Sequence, residues 1–133
     1  MYDAIIVGAR CGGAPLAMLL ARAGHRVLLL DRMAIGSDIM STHYVKRTGA
    51  SLLSQWGLLE KIKQLGTPAI ERLSFKIDDI LLSGVAPPYE GVGADYTPRR
   101  IYLEKCSWTP QLRRARKFAI VSRCGLSHST TAA

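Results

Sequence analysis

Ala4-Ile5-Ile6-Val7-Gly8-Ala9-Arg10-Cys11-Gly12-Gly13, with Asp31 placed 23 residues after Gly8, is the stretch that decides the fold. Its first four residues are an apolar, mostly β-branched run closed by a glycine, the pattern of a buried parallel strand. The spacing then predicts a helix from Ala14 to Ala23. Pro15 falls in the first turn of that helix, where its missing N–H costs nothing. Gly24 is placed to cap the C-terminal end. Val27 to Leu30 reads as a second buried strand ending at Asp31-Arg32. Strand, glycine turn, helix and strand in about 30 residues make one βαβ unit with a right-handed crossover.

The glycines of this unit have separate physical reasons. Gly8 makes the tight turn out of the first strand, and Gly13 lets the helix pack closely on that strand. The helix N-terminus presents N–H groups and a positive dipole end, which suit a pyrophosphate. The acid closing the second strand, Asp31, can accept hydrogen bonds from a ribose hydroxyl. One position departs from the dinucleotide-binding pattern: its central glycine is Arg10 here. That side chain either swings aside or pairs with the diphosphate. Ala9 and Cys11 complete the turn and are counted with it as candidate cofactor-binding residues.

Outward from the unit, residues 33–43 read as an extended loop. Tyr44 to Trp56 has helical spacing through Val45, Leu52, Leu53 and Trp56, weakened by Gly49. A second short helix is expected from Leu58 to Leu65. The period then shortens: Ile70, Leu73, Phe75 and Ile77 alternate, Asp78-Asp79 suits a turn, and Ile80-Leu81-Leu82 follows. Gly84 to Pro98 reads as loop, and a further helix begins near Arg99 and Arg100.

The stretch from Asp3 to Arg32 resembles the N-terminus of FAD-dependent oxidoreductases of the p-hydroxybenzoate hydroxylase and geranylgeranyl reductase superfamily. Ser37-Asp38, Ser41-Thr42-His43, Gly49 and Gln55-Trp56-Gly57-Leu58-Leu59 are similar to the next segment of one bacterial branch. Tyr96-Thr97-Pro98-Arg99-Arg100 with Leu103 resembles the start of its helix beside the flavin. The resemblance covers about residues 2–105. It implies an α/β fold, the incomplete N-terminal part of a larger Rossmann-like flavoprotein fold. It also implies FAD as cofactor, NAD(P)H as reductant and a small organic substrate in the full-length family. By the same resemblance Gly8, Arg10, Gly12 and Gly13 line the diphosphate, Asp31 binds the adenosine ribose and Arg32 lies beside the adenine. Ser41 and Thr42 approach the flavin side, and Arg100 flanks the cofactor. No catalytic residue is identified. A chain carrying only the adenosine-diphosphate half of a site is expected to be inactive alone.

Composition bounds the alternatives. The chain has 133 residues, which suits one domain. No apolar run approaches the ~20 residues of a membrane helix, and no signal peptide is readable, so the expected compartment is the cytoplasm. Three distant cysteines, Cys11, Cys106 and Cys124, support neither a disulfide framework nor a zinc site. Cys11, near a helix N-terminus, could be a reactive thiol; the simpler reading is a residue filling a small space. His43 reads as a loop histidine and Trp56 as helix packing. An NAD(P)-binding Rossmann domain is the alternative within enzymes.

The charge is unevenly distributed. Residues 1–105 hold 13 basic and 10 acidic side chains, while residues 106–133 hold Arg113, Arg114, Arg116, Lys117 and Arg123 with no acid. Such a tail could contact nucleic acid, but no aromatic interleaving accompanies it. Residues 106–133 are therefore expected to be a non-family tail, out of frame or disordered. A lost nucleotide would explain the break at Cys106-Ser107-Trp108-Thr109. With one base restored, residues 106–121 can be re-read as an amphipathic helix, a glycine turn and a charged strand.

Overall fold

The computed structural model describes residues 1–33, 40, 44–103 and 118–122. They fall into two compact units, one built from the two ends of the chain and one from residues 41–99.

The first unit begins with strand β1 (Ala4–Val7), helix α1 (Gly13–Arg22) and strand β2 (Val27–Asp31). β1 and β2 pair in parallel, Ala4 with Val27 through Val7 with Leu30. The predicted βαβ unit is thus observed with its boundaries moved by a residue or so. The end of α1 follows from Gly24, whose φ of +92° lets the chain turn back. Its N–H donates to the Ala21 carbonyl and that of His25 to the Leu20 carbonyl, a paired closure that uses otherwise orphaned carbonyls. Ala14, Ala17 and Met18 of α1 pack with Val27 and Leu29 of β2, all buried. The other face of the sheet is barer: Ile5 and Val7 are largely exposed.

A third strand, β7 (Phe118–Ser122), extends the sheet in parallel beyond β2, in the order β1-β2-β7. No strand was expected from the sequence at those five residues. Phe118-Ala119-Ile120-Val121 is itself an apolar run of strand-forming type, and the basic cluster before it had dominated the reading. A short helix, α4 (Arg100–Tyr102), starts where the sequence placed a helix.

The second unit holds helix α2 (Arg47–Gln55), helix α3 (Leu59–Gln64) and four short strands. α2 and α3 bury Ala50, Leu53, Leu58, Leu59 and Ile62. Strand β3 (Ala69–Ile70) pairs antiparallel with strand β6 (Asp95–Tyr96), and Val45 bridges to Tyr96 from the other side. β6 lies in a segment read as loop. The predicted hairpin is strand β4 (Arg72–Ile77) with strand β5 (Ile80–Val85), turning at Asp78 and Asp79. No helix among the described residues is long and apolar enough to cross a membrane.

Candidate functional site

The site is built on the turn between β1 and α1. Gly8 has a φ of +101°, a conformation that a side chain would strain, and its N–H donates to the Leu30 carbonyl at 2.7 Å. A Cβ on Gly13 would collide with the Gly8 carbonyl oxygen and meet Ile6 Cγ2 at 3.0 Å. The helix can therefore approach the strand this closely only with glycine there. α1 starts from Gly12 without a side-chain cap and with no acid in its first turn, so its positive end is not neutralised by a capping side chain.

Asp31 ties this turn to the end of β2. Its Oδ2 accepts the Ala9 N–H at 2.7 Å and its Oδ1 accepts the Met33 N–H at 2.8 Å. Arg10 has swung towards the same carboxylate, with Nε 3.7 Å from Oδ2. Burial pushes the Asp31 carboxyl up, but the Met33 and Ala9 amides and the Arg10 and Arg32 charges outweigh it. The carboxyl is held below its ordinary range, ionised at neutral pH.

A cleft of about 430 Å³ opens here, lined by Val7, Gly8, Arg10, Asp31, Arg32, Met33 and Arg100. Five of these were named from the sequence: Gly8, Arg10, Asp31, Arg32 and Arg100. Val7 and Met33 were missed, since their part comes from backbone position at strand ends. Ala9, Cys11, Gly12 and Gly13 belong to the turn without lining the cleft. Cys11 is exposed, so it does not fill a small interior space as expected. Ser41, Thr42 and His43 lie outside the described residues. Among the described residues no cluster could hold a metal ion.

The arrangement fits the adenosine–diphosphate part of a dinucleotide. Three arginines face one ionised aspartate, leaving an excess of positive charge for a diphosphate. The positive end of α1 starts from the same turn, and the Asp31 carboxylate has acceptor capacity beyond its two amide partners.

The second unit holds another Asp–Arg constellation, which the sequence reading did not find. Asp95 Oδ1 accepts the Arg47 N–H at 2.7 Å and Arg47 Nε at 3.1 Å, while the Tyr44 hydroxyl donates to Oδ2. Arg47 Nη1 donates to the Ala86 carbonyl and, at 3.0 Å, to that of Pro87. Burial raises the Asp95 carboxyl, but the Tyr44 hydroxyl and the Arg47 amide and guanidinium outweigh it and hold it low. Both charged side chains are nearly inaccessible, at 9% and 4% exposed. This is a clamp holding the start of α2 to the loop before β6.

Fold and cleft together define a dinucleotide-binding βαβ protein. Comparison with known proteins narrows this: the family described as FAD binding domain matches residues 1–116. The chain belongs to that family, whose cofactor is FAD. An FAD-dependent monooxygenase of Emericella nidulans is 38% identical over 68 residues, covering 50% of this chain and 12% of its own length. A thioredoxin reductase of Peptoclostridium acidaminophilum is 26% identical over 106 residues, 77% of this chain and 34% of its own. Among solved structures, Pseudomonas aeruginosa PqsL in complex with 2-aminobenzoylacetate superposes with a TM-score of 0.81 at 22% identity. The superposition covers 92% of this chain and 33% of PqsL, a likeness of fold. The chain thus spans about a third or less of the relatives it matches.

Proposed function

We propose that the chain is the FAD-binding segment of a cytoplasmic flavin-dependent monooxygenase or reductase that uses NAD(P)H and acts on a small organic substrate. The observation that carries the reading is the convergence of Gly8, Asp31 and three arginines on one cleft at the end of a βαβ turn. Asp31 accepts the ribose hydroxyls while keeping the Ala9 amide. Arg10 leaves Asp31 for the diphosphate, and Gly8, Gly12 and Gly13 let the phosphates approach the backbone. Ala9 and Cys11 contribute backbone of the same turn. Arg32 lies against the adenine, Arg100 flanks the cofactor, and Ser41 and Thr42 approach its flavin end. FAD, when bound, supplies the redox chemistry; the residues of this chain bind and orient its nucleotide half.

Titration with FAD, ADP and FMN tests the reading. ADP should compete with FAD, because both present the same adenosine diphosphate, and FMN should bind far more weakly. Equal binding of FMN and FAD, or no competition by ADP, would sink it. A bound NAD(P) would show none of the visible flavin bands. A nucleic-acid complex would weaken steeply with salt.

The boundary near residue 105 belongs to the same proposal, with residues 106–133 as an out-of-frame continuation. The family match runs to residue 116, eleven residues further, and β7 lies beyond it. Resequencing the DNA across the codons for Arg100 to Ala115 decides the matter. A missing base supports the proposal; an intact frame with no flavoprotein continuation downstream removes it.

A further inference from the structure

Arg10 stands where the dinucleotide-binding pattern has glycine, so its side-chain contacts belong to this chain and not to the pattern. Its Nε lies 3.7 Å from Asp31 Oδ2, and the two side chains are 16% and 7% exposed. Each Asp31 oxygen already accepts one backbone amide, Oδ2 that of Ala9 and Oδ1 that of Met33. What remains for a ligand is one further acceptor position on each oxygen. Arg10 is the cation set against Oδ2, and its charge acts on the carboxyl more strongly than that of Arg32. A ribose hydroxyl and the Arg10 guanidinium therefore compete for the same oxygen.

We infer that Arg10 is a specificity-determining latch: it holds Asp31 in the absence of ligand and gives it up to a ligand that brings a phosphate. The inference rests on the reading of the cleft as an adenosine–diphosphate site and deepens it. A nucleoside without phosphate must break the Arg10–Asp31 ion pair to use Oδ2, and it offers the displaced guanidinium no anion in return. A nucleoside diphosphate breaks the same pair and offsets the loss, since a guanidinium forks onto phosphate oxygens through charge-assisted hydrogen bonds. Recognition of ribose and of phosphate is thereby coupled through one side chain. The cleft then selects nucleotides over nucleosides by more than the phosphate contacts themselves contribute. Linkage makes the coupling reciprocal: an anion that draws Arg10 away strengthens ribose binding by the factor by which ribose strengthens the anion's.

NMR titration of the 133-residue chain and of its Arg10→Met variant with ADP and with adenosine is the test. Methionine keeps much of the side chain's length and removes its charge. ADP should bind the variant about tenfold more weakly, the loss of a hydrogen bond between charged groups. Adenosine should bind it about threefold more tightly, in the range of a partly exposed ion pair. A plain phosphate contact predicts the first change without the second. Adenosine that binds both chains equally, or the variant more weakly, therefore overturns the latch, as does ADP that binds both equally. A second reading uses the unaltered chain alone. Replacing chloride by inorganic phosphate at constant ionic strength should tighten adenosine by a similar factor, because phosphate engages Arg10. Adenosine affinity that ignores phosphate, or falls with it, overturns the inference even where Arg10→Met does not fold. ADP that fails to bind the unaltered chain overturns the cleft reading and the latch with it; the other adverse outcomes remove the latch and leave that reading standing.

Discussion

The two Asp–Arg pairs of this chain use the same chemistry for opposite ends. Asp95 and Arg47 are closed: the buried carboxylate accepts from an amide, a guanidinium and a phenol, and the guanidinium holds two further carbonyls through Nη1, with Nη2 buried and unpaired. Asp31 and Arg10 are open: the pair is loose at 3.7 Å and lines a cleft. A carboxylate beside an arginine is therefore no sign of a site by itself. What separates the two is residual acceptor capacity facing a space that a ligand can enter. The closed pair stabilises one unit; the open pair lines a cleft.

The largest expected effect sharpens that contrast. Arg47→Met strands Asp95 without its main partner and should destabilise the second unit by about 3 kcal/mol. Urea denaturation measures it, and FAD affinity measured below the transition should not change. A large loss of affinity would show that the clamp serves the cleft. Next comes Gly13→Ala in the first unit, where the new Cβ must push α1 off the Gly8 carbonyl. A loss of about 1–3 kcal/mol in stability is expected, together with loss of nucleotide binding in the same titration.

Asp31→Asn is gentler, since the amide still offers one oxygen to Ala9 or Met33. It should weaken FAD and ADP by about tenfold, near 1.4 kcal/mol. A stability loss as large as that of Arg47→Met would erase the distinction between open and closed pairs. The smallest effect is that of acid. Asp31 and Asp95 are both held below the ordinary carboxyl value of about 3.9. Between the folded and unfolded values the unfolded chain binds more protons, so stability rises with pH there. Their contribution is complete above about pH 5 and is lost as pH falls through the lowered folded values. Thermal melts from pH 6 downwards should fall, and in Asp31→Asn they should fall less.

Much of the first unit was legible because its signals are local. β1, α1 and β2 lie within 28 residues, and each has its own period and glycine. Gly8, Asp31, Arg32 and Arg100 came from pattern and resemblance, and the cleft brings them together. The clamp was illegible because Arg47 and Asp95 are 48 residues apart, with no spacing that links them. β6 was missed for a similar reason: two residues become a strand only when Ala69 and Ile70 arrive beside them. Cys11 went wrong because sequence gives the turn but not which of its side chains face solvent.

The amide of Ala9 is already held by Asp31 before any ligand arrives, and Gly8 is already fixed to Leu30. The ordering of this turn is therefore completed during folding and is not deferred to the encounter. An incoming nucleotide meets a turn already set in place, so differences among variants of this turn should fall on residence time more than on encounter rate. A chain of this kind would capture its ligand as a rigid receptor does, with the aspartate acting as a splint for the phosphate turn.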